Sequence, residues 1–303
     1  MKAIAAPVEV KFKNILFLTD FSEPSEAALP FAAAVARGYD AKVHALNVMI
    51  PPAYVYTTPD LTSAAIEAEE EVAQSEMKRV DSQLAGLPHA TILERGTGIW
   101  EPVKSAITQF NTDLLVLGTH GRTGTQKFFL GSVAEEIFRR SPVPVLTIGP
   151  QVHSLSQNGA RFHRVLFATD FTPEAEAALP YAISLARQAG GRLILLHVVR
   201  KLGARNKTEA GPVELSVAEA IHQLYEIHPT DVGLDFPPEV AVEFGEPATR
   251  IVEAAKVRGA DIIVLGVRNA AGRLGAATHL EGTTAHKVVA HAPCPVLTVP
   301  KTA

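Results

Sequence analysis

A chain of 303 residues with 47% hydrophobic content has room for two cores of ordinary size, and its net charge of −4 gives no reason to expect nucleic acid or an anionic membrane as partner. The N-terminal MKAIAAPVEVKFK lacks the apolar stretch of a signal peptide and no apolar run approaches a membrane span, so a cytoplasmic location is the default expectation. Cys294 is the only cysteine, which excludes an intrachain disulfide and a thiolate metal site.

The chain opens with a buried-strand pattern, Ile15–Thr19, ending at Asp20. A helix follows, with Ser22 as its N-cap and Pro30 inside it as a source of a kink. The next expected elements are a strand over Lys42–Val48, a loop over Ile50–Asp60 and a polar-faced helix over Ser63–Leu84. A third strand, Thr91–Glu94, and a helix lead to the fourth strand, Leu114–Leu117, and the unit closes with Val143–Ile148.

The same milestones then recur. NILFLTDFSEPSEAALPFAAAVAR, from Asn14, returns as RVLFATDFTPEAEAALPYAISLAR, from Arg164, at an offset of 150 residues. DLLVLG at Asp113 returns as DIIVLG at Asp261, and PVPVLTI at Pro142 as PCPVLTV at Pro293. A repeat this long is a duplicated domain, placed at 1–150 and 161–303, with the polar, turn-rich 149–161 as the joint. The second copy offers strands over Val165–Thr169, Arg192–Val199, Val240–Phe244 and Pro295–Val299, with Thr172 as a cap, Pro173 at the first helical position and Pro180 inside the helix. Its middle differs: Arg200–Pro212 reads as loop, followed by a shorter helix over about Val217–Ile227. Strands alternating with helices specify a parallel sheet with right-handed crossovers, so the fold class is α/β and ligands belong at the carboxyl ends of the strands.

The stretch with chemistry in it is DLLVLGTHGRTGTQKFFLGSVA, 113–134. The strand ends at Gly118, Gly121 follows, and after nine intervening residues Gly131-Ser132 precedes the helical pattern Val133–Arg140. Glycine permits close approach of a ligand to the backbone. Ser132 stands where a helix N-cap would be, so its hydroxyl and the following amides would converge, with the positive end of the helix dipole, on a spot suited to phosphate. Arg122 and Lys127 could add full charges.

These residues resemble the universal stress protein family, whose G-x2-G-x9-G-[ST] loop is met here as Gly118, Gly121, Gly131 and Ser132. The strand-end Asp20 and Asp170, the DLLVLG strand and the SPVPVLTI strand carry the same resemblance, which covers nearly the whole chain. It implies two tandem Rossmann-like domains of the adenine nucleotide alpha hydrolase-like type, each with a parallel sheet of order 3-2-1-4-5. It also implies ATP binding, with Mg²⁺ as an accompanying ion. Carried onto this sequence, it places Thr19 and Asp20 near ribose and adenine, Val48 beside the base, and Leu117, Gly118, Thr119, His120, Gly121, Arg122, Gly131, Ser132, Val133 and Ala134 around ribose and phosphates. Closing strands pair between chains in single-domain relatives, so an internal pseudo-dimer of the two copies is expected, with a homodimer through another surface left open.

The second copy departs from this pattern. Asp170, Val198 and Gly266 are present, but Asn269 replaces the second glycine, and twelve residues separate it from Gly282-Thr283. One nucleotide per chain is therefore the expectation.

Enzyme motifs fail on spacing. There is no GxxxxGK[ST] phosphate loop, no GxSxG elbow and no HExxH. Gly96-Thr97-Gly98 reads as a turn, and Cys294, between prolines in an apolar strand, as a buried inert thiol. No general base can be named, so any ATP hydrolysis is slow. Two classes lead, an ATP-binding regulator and an interaction scaffold that needs no nucleotide, with a slow ATP-hydrolysing enzyme as a third.

Overall fold

A computed structural model describes residues 10–50, 59–119, 130–152, 162–200, 216–228, 232–268 and 283–301. The chain divides into two compact units, residues 12–150 and residues 162–301, the latter taking in residues 10–11. Gly121, His120, Arg122 and Lys127 of the expected loop, and Asn269 and Gly282 of its counterpart, lie outside the described residues.

In the first unit the order is β1 (Asn14–Leu18), α1 (Glu23–Tyr39), β2 (Lys42–Met49), α2 (Pro59–Gln83), β3 (His89–Arg95), α3 (Trp100–Gln109), β4 (Leu114–Gly118), α4 (Ser132–Arg140) and β5 (Val145–Ile148). All four strand pairings are parallel, β1 with β2 and β4, β2 with β3, and β4 with β5. The sheet therefore reads β3-β2-β1-β4-β5, and the expected order is observed. The central strands β1 and β4 are apolar along their length because helices cover both faces, whereas edge strand β3 is half-exposed.

The second unit repeats this with β6 (Arg164–Thr169), α5 (Pro173–Gln188), β7 (Arg192–Val199), α6 (Val217–Glu226), β8 (Glu239–Phe244), α7 (Pro247–Arg258), β9 (Ile262–Val267), α8 (Thr284–His291) and β10 (Val296–Pro300). Its parallel pairings give β8-β7-β6-β9-β10. Here α6 is ten residues long where α2 has twenty-five, and it starts with a capping box between Ser216 and Glu219.

The repeated aspartate of DLLVLG and DIIVLG has a structural task. Asp113 accepts from the main-chain N–H groups of Lys13 (2.7 Å) and Asn14 (3.2 Å), and Asp261 from that of Arg164 (2.8 Å). Each carboxylate thus satisfies amides at the start of the neighbouring central strand. Burial pushes the Asp113 carboxyl above its ordinary range, and the hydrogen bonds from Lys13 and Asn14 oppose that shift.

Helices α1 and α5 run unbroken across Pro30 and Pro180. Helix α2 starts at Pro59, four residues before the expected Ser63, because a proline's fixed φ suits a helical first turn.

Candidate functional site

The connection from β1 to α1 is a chain of local hydrogen bonds. Asp20 Oδ1 accepts from Ser22 N–H (3.1 Å) and from Ser22 Oγ–H (2.5 Å), while Ser22 Oγ caps α1 by accepting from Ser25 N–H (3.4 Å). Between them Phe21 takes φ 61°, a left-handed conformation uncommon for a bulky side chain, and its N–H donates to Thr19 Oγ1 (3.0 Å). The second unit builds the same turn from Thr169, Asp170, Phe171 (φ 59°) and Thr172. Asp20 therefore has a structural duty that does not depend on any loop.

Thr19 is committed inward. Its N–H donates to Leu46 O (3.0 Å), its carbonyl accepts from Asn47 Nδ2 (2.8 Å), and its hydroxyl lies 3.1 Å from Ser25 Oγ. Thr19 thus shapes the floor of the site and offers no uncommitted polar group to a ligand. Ser25 and Asn47, which do this anchoring, were not singled out in the sequence. Asn47 did carry a signal, as an amide inside the otherwise buried strand KVHALNVM.

Strand β2 outruns β1 at this end. The β1–β2 register stops at Leu18 against Leu46, while β2 stays paired with β3 through Met49. In a parallel pair alternate residues face opposite neighbours. Leu46 O faces β1, since it accepts from Thr19 N–H, and Met49 O faces β3, since it accepts from Gly96 N–H. Val48, two residues beyond Leu46, therefore turns its N–H and C=O toward the side where β1 has ended. This leaves one donor and one acceptor side by side at the edge of the cleft.

Gly118 has a packing role beside the expected ligand one. A Cβ there would meet Pro24 O at 2.5 Å, and at the matching Gly266 it would meet Glu174 O at 2.1 Å. Both glycines let the end of a strand pack against the first turn of the unit's first helix, α1 or α5; the atoms they approach belong to the chain itself. The main-chain groups of Thr119 are also engaged, its N–H with Ile148 O (2.9 Å) and its C=O with Gly131 N–H (2.7 Å).

Ser132 corrects one expectation. Helix α4 begins at Ser132 itself and Gly131 is the N-cap, with φ −62° and ψ 151°, so no side chain caps this helix. Gly131 takes that place because its N–H ties it to Thr119 and its C=O accepts from Glu135 N–H (2.8 Å). In the second unit Thr283 is the N-cap of α8 and its hydroxyl accepts from His286 N–H (3.2 Å). The two helix starts differ chemically: one has amides open to a ligand, the other has a built-in acceptor.

These pieces enclose a cavity of about 260 Å³ lined by Thr19, Asp20, Val48, Leu117, Gly118, Thr119 and Gly131 through Ala134. Leu18, Ser25, Leu46, Ile99 and Val103 complete it, the last two from the crossover helix before β4, which no local motif could have flagged. Asp20 is the only ionisable side chain among the described lining residues, and Val133, 42% exposed, lies along the wall at the start of α4.

In the second unit His197 replaces Asn47 and makes the equivalent bond, Nδ1 to Thr169 O (2.8 Å), with its ring 4.6 Å from that of Phe171. Burial holds His197 below the usual histidine range, against the opposing influence of the Thr169 bond and Asp170. Cys294 is 6% exposed, and burial pushes its thiol up to about 12, so it stays protonated and unreactive at neutral pH.

Comparison with known proteins bears on the family and the fold. The model of the universal stress protein family matches residues 11–149 and 161–300. A universal stress protein of Methanocaldococcus jannaschii is 31% identical over 141 residues, 45% of this chain and 82% of that protein. The crystal structure of a universal stress protein from Archaeoglobus fulgidus superposes with a TM-score of 0.69 at 25% identity, covering 96% of this chain and 98% of that one. A structure from Pseudomonas aeruginosa, at 17% identity and a TM-score of 0.58 over 96% of this chain and 94% of that one, shares the fold.

Proposed function

The chain belongs to the universal stress protein family as two tandem domains, and on that premise we propose that its first unit binds ATP and acts as a nucleotide-dependent regulator in the stress response. The observation that carries this reading is the pair of open main-chain edges in one cleft, Val48 at one wall and the uncapped start of α4 at another. Adenine presents a donor, N6–H, beside an acceptor, N1. Those match the C=O and N–H of Val48. Guanine presents the reverse polarity along the same edge, so the site should prefer ATP to GTP.

Asp20 would accept from ribose hydroxyls, and the amides of Ser132, Val133 and Ala134 would hold phosphate oxygens at the positive end of the α4 dipole. Gly121, His120 and Arg122 belong to the same proposal through the family loop. Mg²⁺ would arrive with the phosphates; no side chain is assigned to it. A bound nucleotide would bridge the Val48 edge and the start of α4, and that bridging is the signal a partner would read.

The second unit is expected to leave ATP unbound, because Thr283 already satisfies an amide at the start of α8. Calorimetry of the intact chain with ATP and with GTP tests the reading. About one ATP per chain is expected, bound at least tenfold more tightly than GTP, since two mispaired polar groups cost about 1–3 kcal/mol each. Two equal sites, or no discrimination between the bases, would refute it.

A further inference from the structure

A second groove lies in the first unit beyond the shared wall of Ile99. It measures about 470 Å³ and is bounded by the Gly96–Gly98 turn, the first turn of α3, and Glu136 and Arg140 of α4. Three features distinguish it from ordinary surface.

First, it holds the chain's only tryptophan. Trp100 is 8% exposed, with the Arg140 guanidinium 4.8 Å from the ring centroid. Its indole N–H has no hydrogen-bond partner among the described residues, although it is not a sealed atom. A tryptophan buried to this degree usually pairs its N–H, so a ligand in the groove that Trp100 lines would complete it by bringing an acceptor.

Second, the charges do not balance. Arg140 is paired with Glu136 (2.7 Å) and Arg95 with Glu70 of α2, so both cations are matched. Glu94 and Glu101, which also line the groove, have no ion-pair partner among the described residues. Glu101 suits the first turn of α3 through the helix dipole, but Glu94, at the end of β3, has no such support.

Third, the equivalent acidic residue of the second unit is already partnered. There Glu246 caps α7 by accepting from Thr249 N–H (2.9 Å) and pairs with Lys287 of α8 (3.5 Å), and Ala248 stands in the first turn of α7.

We propose that this groove docks a protein partner through a lysine- or arginine-bearing peptide segment. The cationic side chain lies against Glu94 and Glu101, and a peptide carbonyl accepts from the Trp100 indole N–H. One ligand then supplies both the missing cation and the missing acceptor, and the acidic balance turns polyanions away. The groove also adjoins the nucleotide cleft. Ile99 lines both, Glu94 is the cross-strand neighbour of Val48, and Glu136 lies one turn along α4 from Ser132. Nucleotide in the cleft and peptide in the groove therefore bear on the same two helix starts; this linkage rests on the ATP reading, whereas the docking site does not.

Because Trp100 is the sole tryptophan, its emission reports on the groove directly. The probe is acetyl-Gly-Lys-Arg-Gly-amide, titrated up to about 10 mM into the full chain at low salt, against acetyl-Gly-Asp-Glu-Gly-amide. The expected result is a saturable change for the basic peptide alone, weakened by salt and weakened about two- to fivefold by Glu94→Gln and by Glu101→Gln. ATP affinity by calorimetry should be unchanged in both variants. No saturable change, an equal response to the acidic peptide, or indifference to both glutamine variants would overturn the docking site. Repeating the titration with ATP should shift the peptide affinity in the parent and not in Gly131→Val. If ATP binds and the peptide affinity stays fixed, the linkage fails; if ATP does not bind, the nucleotide reading fails and the groove is judged on the peptide result alone.

Discussion

Replacing Gly131 with valine separates ligand binding from folding unusually cleanly. Gly131 sits at φ −62° and ψ 151°, an extended conformation open to any residue, so the substitution introduces no left-handed strain. Its N–H bond to Thr119 O and its C=O bond from Glu135 N–H are main-chain bonds that valine can keep. Stability without nucleotide should change by no more than about 1 kcal/mol, because the lost freedom of the unfolded chain opposes valine's poorer fit at an N-cap. The ligand meets a different situation. A branched side chain at the N-cap stands before the open amides of α4, in the space phosphate oxygens would occupy. Losing two charge-assisted hydrogen bonds costs about 3–6 kcal/mol, at roughly 1.5–3 each. That lowers ATP affinity at least about a hundredfold. The assay is calorimetric titration of parent and variant, with thermal melts of each in the absence of ATP. Gly282→Val serves as the control and should leave ATP affinity nearly intact. A Gly131→Val protein that melts like the parent and binds ATP like the parent would refute the phosphate cradle.

The helix starts should respond differently to loss of a hydroxyl. Thr283→Ala removes a cap and should cost about 1 kcal/mol in denaturant unfolding followed by circular dichroism, whereas Ser132→Ala, which removes none, should cost under about 0.5. Gly118→Ala drives a Cβ to 2.5 Å from Pro24 O and should destabilise the first unit by about 1–3 kcal/mol, and Gly266→Ala, at 2.1 Å from Glu174 O, should cost the second unit more; urea midpoints within about 0.5 kcal/mol of the parent would contradict the packing role.

Two histidines of the first unit predict opposite pH dependences, both readable through Trp100 emission during urea unfolding. His44, buried against Phe110 and held below its ordinary pKa by burial, binds fewer protons folded than unfolded. Its contribution is complete above about 6.5 and is lost as pH falls toward the lowered value, and His44→Leu should remove that acid sensitivity. His89 is raised, chiefly by its bond to Leu87 O and also by Asp81, so its contribution is complete below about 6.5 and is lost as pH rises through the folded value. His89→Gln should flatten that limb.

The duplication, the alternation of strand and helix, and the glycine-bounded segment before α4 were all legible in the sequence, because each depends on local chemistry. Apolar runs define strands, Ser22, Thr172 and Pro173 define helix starts, and the repeat at an offset of 150 residues is visible without coordinates. What the sequence could not rank was which atoms of these residues face a ligand and which face the chain itself. Gly118 reads as a ligand glycine, and only the fold shows that it also packs against Pro24; Ser132 looks like a cap until the helix is seen to start on it. Thr19 looks available until Leu46, Asn47 and Ser25 take its polar groups. Ile99 and Val103 join the cleft from α3, and Trp100 meets Arg140 of α4 across forty residues of chain. The open edge of Val48 is the clearest case, since it arises only because β1 ends two residues short of it in the pairing register. Local propensity sets each element, whereas the identity of the unpaired donors and acceptors is decided by how the elements stop against one another. Main-chain donors and acceptors are spent first on neighbouring elements, so what is left over for a ligand is a tertiary property.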